Sequence, residues 1–310
     1  MKPHSLNIRK LLETAPPVLD FVLPGLLAGS VGTVVGSGGV GKTTFLLQVA
    51  MDKSANTSNA SDIFPNAETP GRVVFIAAEE SAEILSVRLH AIWGKSGTGE
   101  PPSVEAAIAS ESEIALMEAN LHIVPLGGHD VLLVKDGCPT EFFEQLCEFC
   151  KGARLVIIDP LRRLHDGDEN SSAAMTQVVQ VLESLAKRTG AAVIATHHMN
   201  KTAGFTEKTD SASASRGSSA LTDAVRWQIN LSNISENDAK AYCFTDERRS
   251  CLRLDFAKTN YAAPLPHIWM KREDGGALTR FEPQKSPRTT SSGKNRSKSG
   301  AKRDGELIYV

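Results

Sequence analysis

The sequence contains no apolar run approaching the ~20 residues that a bilayer-spanning helix needs. Its first residues, Met1-Lys2-Pro3-His4-Ser5, lack the long apolar core of a signal peptide. It has five cysteines, an odd number that suits a reducing cytosol better than a disulfide framework. A net charge of −2 excludes a chain that is basic throughout. These absences predict a cytoplasmic protein with no membrane partner. What remains is ordinary for a globular chain: 310 residues, 41% hydrophobic and 23% charged, enough for one large α/β domain or two small ones.

The most informative stretch is Gly36-Ser37-Gly38-Gly39-Val40-Gly41-Lys42-Thr43, which fits the phosphate-binding pattern G-x-x-x-x-G-K-[ST] without a mismatch. It follows a β-branched run, Val31 to Val35, and precedes a helical pattern starting at Thr44, so strand, loop and helix agree with the motif. Glycines let successive backbone N–H groups converge on one anion, and the helix N-terminus adds partial positive charge. Lys42 is expected on the β- and γ-phosphates of ATP and the Thr43 hydroxyl on Mg²⁺, with Thr44 counted in the same cradle.

Three further apolar runs read as buried strands, and each ends in a polar residue. Arg72 to Ala77 leads into Ala78-Glu79-Glu80. One carboxylate could orient and deprotonate an attacking water, and the other could begin the next helix as a first-turn acid. Leu155 to Ile158 ends in Asp159, the Walker B arrangement for a Mg²⁺-orienting acid. Ala191 to Thr196 ends in His197-His198, where neighbouring side chains point to opposite faces of a strand and so chelate one ion poorly. A polar group there suits a γ-phosphate sensor better than a metal site. Cys147 and Cys150 lack a second pair at zinc spacing and fall on a helix predicted from the Thr140 N-cap onward.

Alternation of strands and helices gives an α/β fold, and residues 251–281 add alternating strands that read as a C-terminal hairpin. Residues 1–30, interrupted by prolines, are expected to form an extended arm; 31–283 form the core. From Lys285 to Arg303 there are seven basic residues, no acidic one and no side chain able to build a core, so 284–310 reads as a disordered basic tail, either solubilising or nucleic-acid-binding. The polar segment 201–215 is too long for a tight connection. After it, Arg216 precedes a short helix, as a surface ion-pair partner or as an arginine finger.

In this order, Gly36–Thr43, Ala78-Glu79-Glu80, Leu155–Asp159 with Leu161-Arg162-Arg163, His197-His198, Ser215–Ser219 and Lys258-Thr259-Asn260-Tyr261 give the chain a family likeness. It resembles the RecA-like core of hexameric replicative helicases, most closely the short plasmid-encoded RepA type. The resemblance implies a mostly parallel central sheet flanked by helices, with Glu79 as catalytic base, Asp159 as Walker B acid and His198 as γ-phosphate sensor. It makes Arg216 a finger donated across a subunit interface, lets Lys258 reach the neighbour's nucleotide, and places single-stranded DNA in a central channel lined by the loops after Asp159 and Asn200. The function implied is an ATP- and Mg²⁺-dependent ring motor, a homo-oligomer that is hexameric as the family is, which unwinds DNA together with other replication proteins. A RecA-like ATPase that loads a partner without unwinding DNA would carry the same motifs, and a small-molecule kinase would need a lid that no segment supplies.

Overall fold

A computed structural model describes residues 5–55, 63–64, 70–94, 104–198, 219–242, 244 and 250–285, with backbone only at 104–109 and 219–220. In chain order, a short helix α1 (Ile8–Glu13) precedes a two-stranded hairpin, β1 (Phe21–Leu23) and β2 (Leu26–Leu27). Then come β3 (Val31–Gly36), α2 (Lys42–Ala55), β4 (Val73–Ala77), α3 (Ala82–Trp93), α4 (Val104–Asn120) and β5 (Leu121–Pro125). A small hairpin, β6 (Val134–Lys135) and β7 (Cys138–Pro139), leads to α5 (Glu141–Phe149) and β8 (Leu155–Asp159). After a 3₁₀ turn at Leu161–Leu164 the chain forms α6 (Ser172–Thr189), β9 (Ala192–His198), α7 (Ser219–Ala224), β10 (Trp227–Asn233) and α8 (Glu236–Ala241). It finishes with β11 (Cys251–Thr259), β12 (Ile268–Arg272) and β13 (Leu278–Phe281).

Nine of these strands form one sheet in the order β13-β12-β11-β10-β3-β9-β8-β4-β5. The six from β10 to β5 are parallel, and β11, β12 and β13 add antiparallel pairs at one edge. Strands β3, β4 and β8 are buried at every position, as expected for parallel strands covered on both faces. The two-residue period of a strand divides their side chains between two apolar layers. Val73, Phe75, Leu155 and Ile157 pack with Phe45, Leu46 and Leu47 of α2 on one face. Val74, Ile76, Val156 and Ile158 pack with Phe143 of α5 and with Met175, Val178 and Leu182 of α6 on the other.

Helix α2 is buried almost all round, including Gln48, whose amide would be costly there without partners. Its Nε2 donates to the Leu278 carbonyl at 2.8 Å and its Oε1 accepts from the Leu278 N–H at 2.7 Å, which ties the helix behind the phosphate loop to the edge strand β13. Thr140 caps α5 as its spacing predicts, and Gly190 ends α6 with φ of 77°.

The expected extended arm differs from what folds. Only residues up to about Asp20 are exposed, and they include the short helix α1, none of whose residues is buried. From Phe21 the chain belongs to the core: Val22, Leu23 and Leu26 are at most 3% exposed. The prolines do break long helices, but Pro24-Gly25 also makes a turn, with Gly25 at φ of 77°. The buried Trp227 fixes that turn by donating its indole N–H to the Pro24 carbonyl at 2.9 Å. Residues 286–310, which hold almost all of the basic tail, lie outside the described residues.

Candidate active site

Parallel strands point their C-terminal ends to one edge of the sheet, and ligands of such sheets bind there. Gly36 ends β3, His198 ends β9, Asp159 ends β8, and Glu79 follows β4 by two residues. Register puts Gly36 beside His198 and Ala77 beside Asp159, so groups dispersed over 163 positions meet on neighbouring strand ends. The cleft between them, about 220 Å³, is lined by Gly39, Gly41, Lys42, Thr43, Glu79, Glu80, Arg88, Asp159, Pro160 and His198.

The loop from Gly36 to Thr43 adopts a conformation that larger residues would prevent. A Cβ on Gly36 would come within 2.6 Å of the Leu231 carbonyl oxygen, and Gly41 has φ of 103°. Ser37, Gly38, Gly39 and Val40 connect them, and α2 begins at Lys42 with its free N–H groups directed at the cleft. The Lys42 ammonium donates to the Gly36 and Ser37 carbonyls at 2.8 and 3.0 Å and lies 3.4 Å from His198 Nδ1. Burial lowers the Lys42 pKa, and the nearby Asp159 and Glu79 carboxylates oppose that shift.

Asp159 is 7% exposed and is fixed from one side by the Thr196 hydroxyl, which donates to its Oδ1 at 2.5 Å. The two histidines face opposite ways, as the strand period requires. His197 is buried, with Nδ1 3.5 Å from Glu169, while His198 is exposed toward the cleft. Burial, then the neighbouring cationic groups, pushes His197 down to about 4. Burial and Lys42 also lower His198, which keeps it a neutral hydrogen-bonding group at pH 7.

The two carboxylates after β4 have different partners. Glu79 Oε1 accepts from Arg163 Nε at 3.1 Å. Glu80 precedes the N-cap Ser81 instead of entering the first turn of α3, and is held by Arg88 through contacts of 2.5 to 2.9 Å. Arg88 also donates to Thr44 Oγ1 at 3.2 Å, so the Thr44 hydroxyl faces this guanidinium. The donor set fits ATP with Mg²⁺: a buried lysine and helix N-terminus for phosphate, then the Thr43 hydroxyl and one buried carboxylate for the ion. Among the described residues no cluster of three His, Cys, Asp or Glu could hold a metal ion.

Lys258 does not approach this cleft. It pairs in register with Gln228, near the start of β3, and donates to the Thr222 and Asp223 carbonyls at the end of α7. Arg216 and the loop 199–215 lie outside the described residues. Cys147 is buried on α5, and burial raises the Cys150 thiol to about 12, so neither acts as a thiolate near neutral pH.

Four contacts have no counterpart in the motif reading: Arg88 on Glu80, Arg163 on Glu79, Thr196 on Asp159, and Arg272 on the Val40 carbonyl at 3.0 Å. The position of Thr196, one strand period before His198, was a signal for an inward-facing group on that strand. Nothing local marks Arg272, which reaches the loop from 232 residues away.

Two solved structures share the architecture. One, an isolated ATPase domain, aligns with a TM-score of 0.55 at 15% identity, covering 82% of this chain and 86% of that domain. The other, a DnaB-like replicative helicase solved for its interactions with primase, aligns with a TM-score of 0.57 at 15% identity; 88% of this chain covers 66% of that one, just under two thirds of its length. At such identity the likeness establishes the fold alone, a RecA-like α/β core. Residues 2–204, well over half of the sequence, match the AAA domain model, and the chain belongs to that AAA domain family (AAA_25).

Proposed function

We propose that this chain is the ATP-hydrolysing subunit of a ring, six-membered by analogy, that moves along single-stranded DNA and unwinds duplex during plasmid or mobile-element replication. The observation that carries the reading is the convergence of Lys42, Glu79, Asp159 and His198 on one cleft while Lys258 sits at the opposite end of the sheet. A lysine so placed does not reach its own nucleotide, and to reach a neighbour's it would exchange the Thr222 and Asp223 carbonyls for phosphate.

In this reading Lys42 holds the β- and γ-phosphate oxygens together with the backbone N–H groups of the loop. Thr43 and Asp159 would hold Mg²⁺, with Thr196 fixing the carboxylate, and the ion when bound would supply charge neutralisation on the phosphates. Glu79 takes a proton from the water whose oxygen attacks the γ-phosphorus, the bond to the β–γ bridging oxygen breaks, and ADP and phosphate leave. His198, neutral, hydrogen-bonds the γ-phosphate and loses that partner on release, which connects hydrolysis to the strand end that leads into the loop 199–215. Arg216 is proposed as the finger from the adjacent subunit.

The exposed apolar residues Leu6, Ile8, Leu11 and Leu12 on and beside α1 support assembly, since none of them is covered by the described residues. The experiment is subunit mixing. Arg216→Ala should bind ATP but lose hydrolysis by ~10³-fold or more, the scale of an arginine finger. Mixed with Lys42→Ala subunits, it should regain activity at hybrid interfaces that pair an intact loop with an intact finger. Undiminished hydrolysis by a monomer rules the ring out. The second reading, a partner-loading ATPase of the same fold, predicts the same mixing result without strand displacement.

A further inference from the structure

Away from the nucleotide cleft, helices α3 and α4, the end of α2 and the edge strand β5 bound a groove of about 850 Å³. Its walls are apolar: Leu89 and Trp93 of α3, Ile114 and Met117 of α4, and Leu121 and Ile123 of β5. Ile114 is 41% exposed, and Ile84 and Val87, also on α3, are 49% and 68% exposed. Among the described residues nothing covers this surface, and a contiguous apolar patch of such size marks a binding site. Glu118 stands in its lining, and α4 as a whole carries four glutamates and no lysine or arginine. The groove therefore suits an occupant with several apolar side chains and basic neighbours.

The sequence contains one such segment outside the described residues. Large apolar side chains occur there singly at Met1, Met199 and Phe205, and as a run only at Leu307-Ile308-Tyr309-Val310. The connection from α3 to α4, residues 95–103, holds none, so it cannot fill the groove that it borders. The run follows the basic stretch that ends at Lys302-Arg303, which complements acidic α4.

The groove is also within reach of this segment in the same copy. The turn between β12 and β13 packs on α3, where a Cβ added to Gly275 would lie 3.2 Å from that of Ala91. From that turn β13 leads the chain away by about 20 Å, at ~3.4 Å per residue. As a Ser- and Gly-rich linker, the 21 residues 286–306 span about 25 Å root-mean-square, which matches the return distance. A linker matched to its span gives the highest local concentration of the segment that it carries.

We propose that this groove is the docking site of the chain's own segment Leu307-Ile308-Tyr309-Val310, bound within one copy, with the preceding basic residues set against α4. The proposal does not depend on the motor reading.

The test is photo-cross-linking in the full chain carrying Tyr309→benzoylphenylalanine, read by mass spectrometry on a mixture of isotope-labelled and unlabelled protein. Cross-links should join position 309 to α3, α4 or β5 of the same copy. Ile114→Asp, at a half-exposed rim position that leaves the core intact, should cut their yield by about tenfold, the effect of one lost apolar anchor. Leu12→Asp, on exposed α1, should leave the yield unchanged. Trp93 gives a second readout without the probe, since Trp227 and Trp269 are only 1% and 4% exposed. Ile308→Asp should make Trp93 more accessible to acrylamide quenching. Cross-links scattered over the surface, links between labelled and unlabelled copies, a yield indifferent to Ile114→Asp, or unchanged quenching would each overturn the proposal. The rival occupant is α1 of a second copy: if Leu11→benzoylphenylalanine labels the groove of another copy, the groove belongs to α1 and the proposal falls.

Discussion

The Lys42 ammonium lies 3.4 Å from Nδ1 of His198, across 156 residues of sequence. The contact joins the phosphate loop to the end of β9, so under the proposed roles the γ-phosphate ligand Lys42 and the sensor His198 share one location. His198→Ala should therefore leave ATP binding within a few-fold and lower kcat by ~10²-fold, the scale of losing one placed hydrogen bond to developing charge. Nucleotide binding by fluorescence beside steady-state kinetics checks it; a kcat close to wild type removes His198 from the site.

Thr196 positions Asp159 from the neighbouring strand. Thr196→Val keeps the shape and removes the donor. Loss of such a supporting partner typically costs about 10- to 100-fold in metal affinity. The Mg²⁺ concentration for half-maximal hydrolysis should rise on that scale, and a titration at saturating ATP reads it directly. An unchanged midpoint means that Asp159 orients itself.

Arg272 braces the outer side of the loop through the Val40 carbonyl. A hydrogen bond to a charged group contributes about 1.5–3 kcal/mol, so Arg272→Ala should weaken nucleotide binding by roughly tenfold or more if the loop loses its shape. Thermal unfolding distinguishes a loosened loop from a lost fold: the midpoint without nucleotide should change little, while the stabilisation by added ATP shrinks.

His197 gives a pH dependence of stability. Its folded pKa is about 4, below the ordinary histidine value of 6.5. As pH falls below 6.5 the unfolded chain takes up a proton that the folded chain refuses, so stability is lost progressively from pH 6.5 to about 4. The full loss amounts to about 3 kcal/mol at 1.36 kcal/mol per pK unit. Urea unfolding of wild type and His197→Gln at about pH 7, 5.5 and 4.5 checks it: the variant should be less sensitive to acid across that window, and parallel curves contradict the assignment.

Sequence alone made much of this legible where the determinant is local. The Gly36–Thr43 pattern needs only its own residues to form the cradle, and β-branched runs ending in Glu79, Asp159 and His198 announce parallel strand ends. The same locality located the cap at Thr140. What could not be read depends on tertiary register. Arg88, Arg163 and Arg272 look like surface arginines until α3, the 3₁₀ turn and β12 are packed around the loop. The misjudged arm has the same cause: prolines forbid a long helix, but whether Phe21–Leu27 lies loose or folds into the core depends on Trp227, which arrives two hundred residues later.

Under the proposed function, ATP hydrolysis in this cleft drives movement on DNA. The direct measurement is displacement of a labelled strand from a forked duplex by purified protein. Wild type should give ATP-dependent displacement and Lys42→Ala none. Vigorous ATP hydrolysis with no strand displaced, on forks with either a 5′ or a 3′ single-stranded arm, would contradict it.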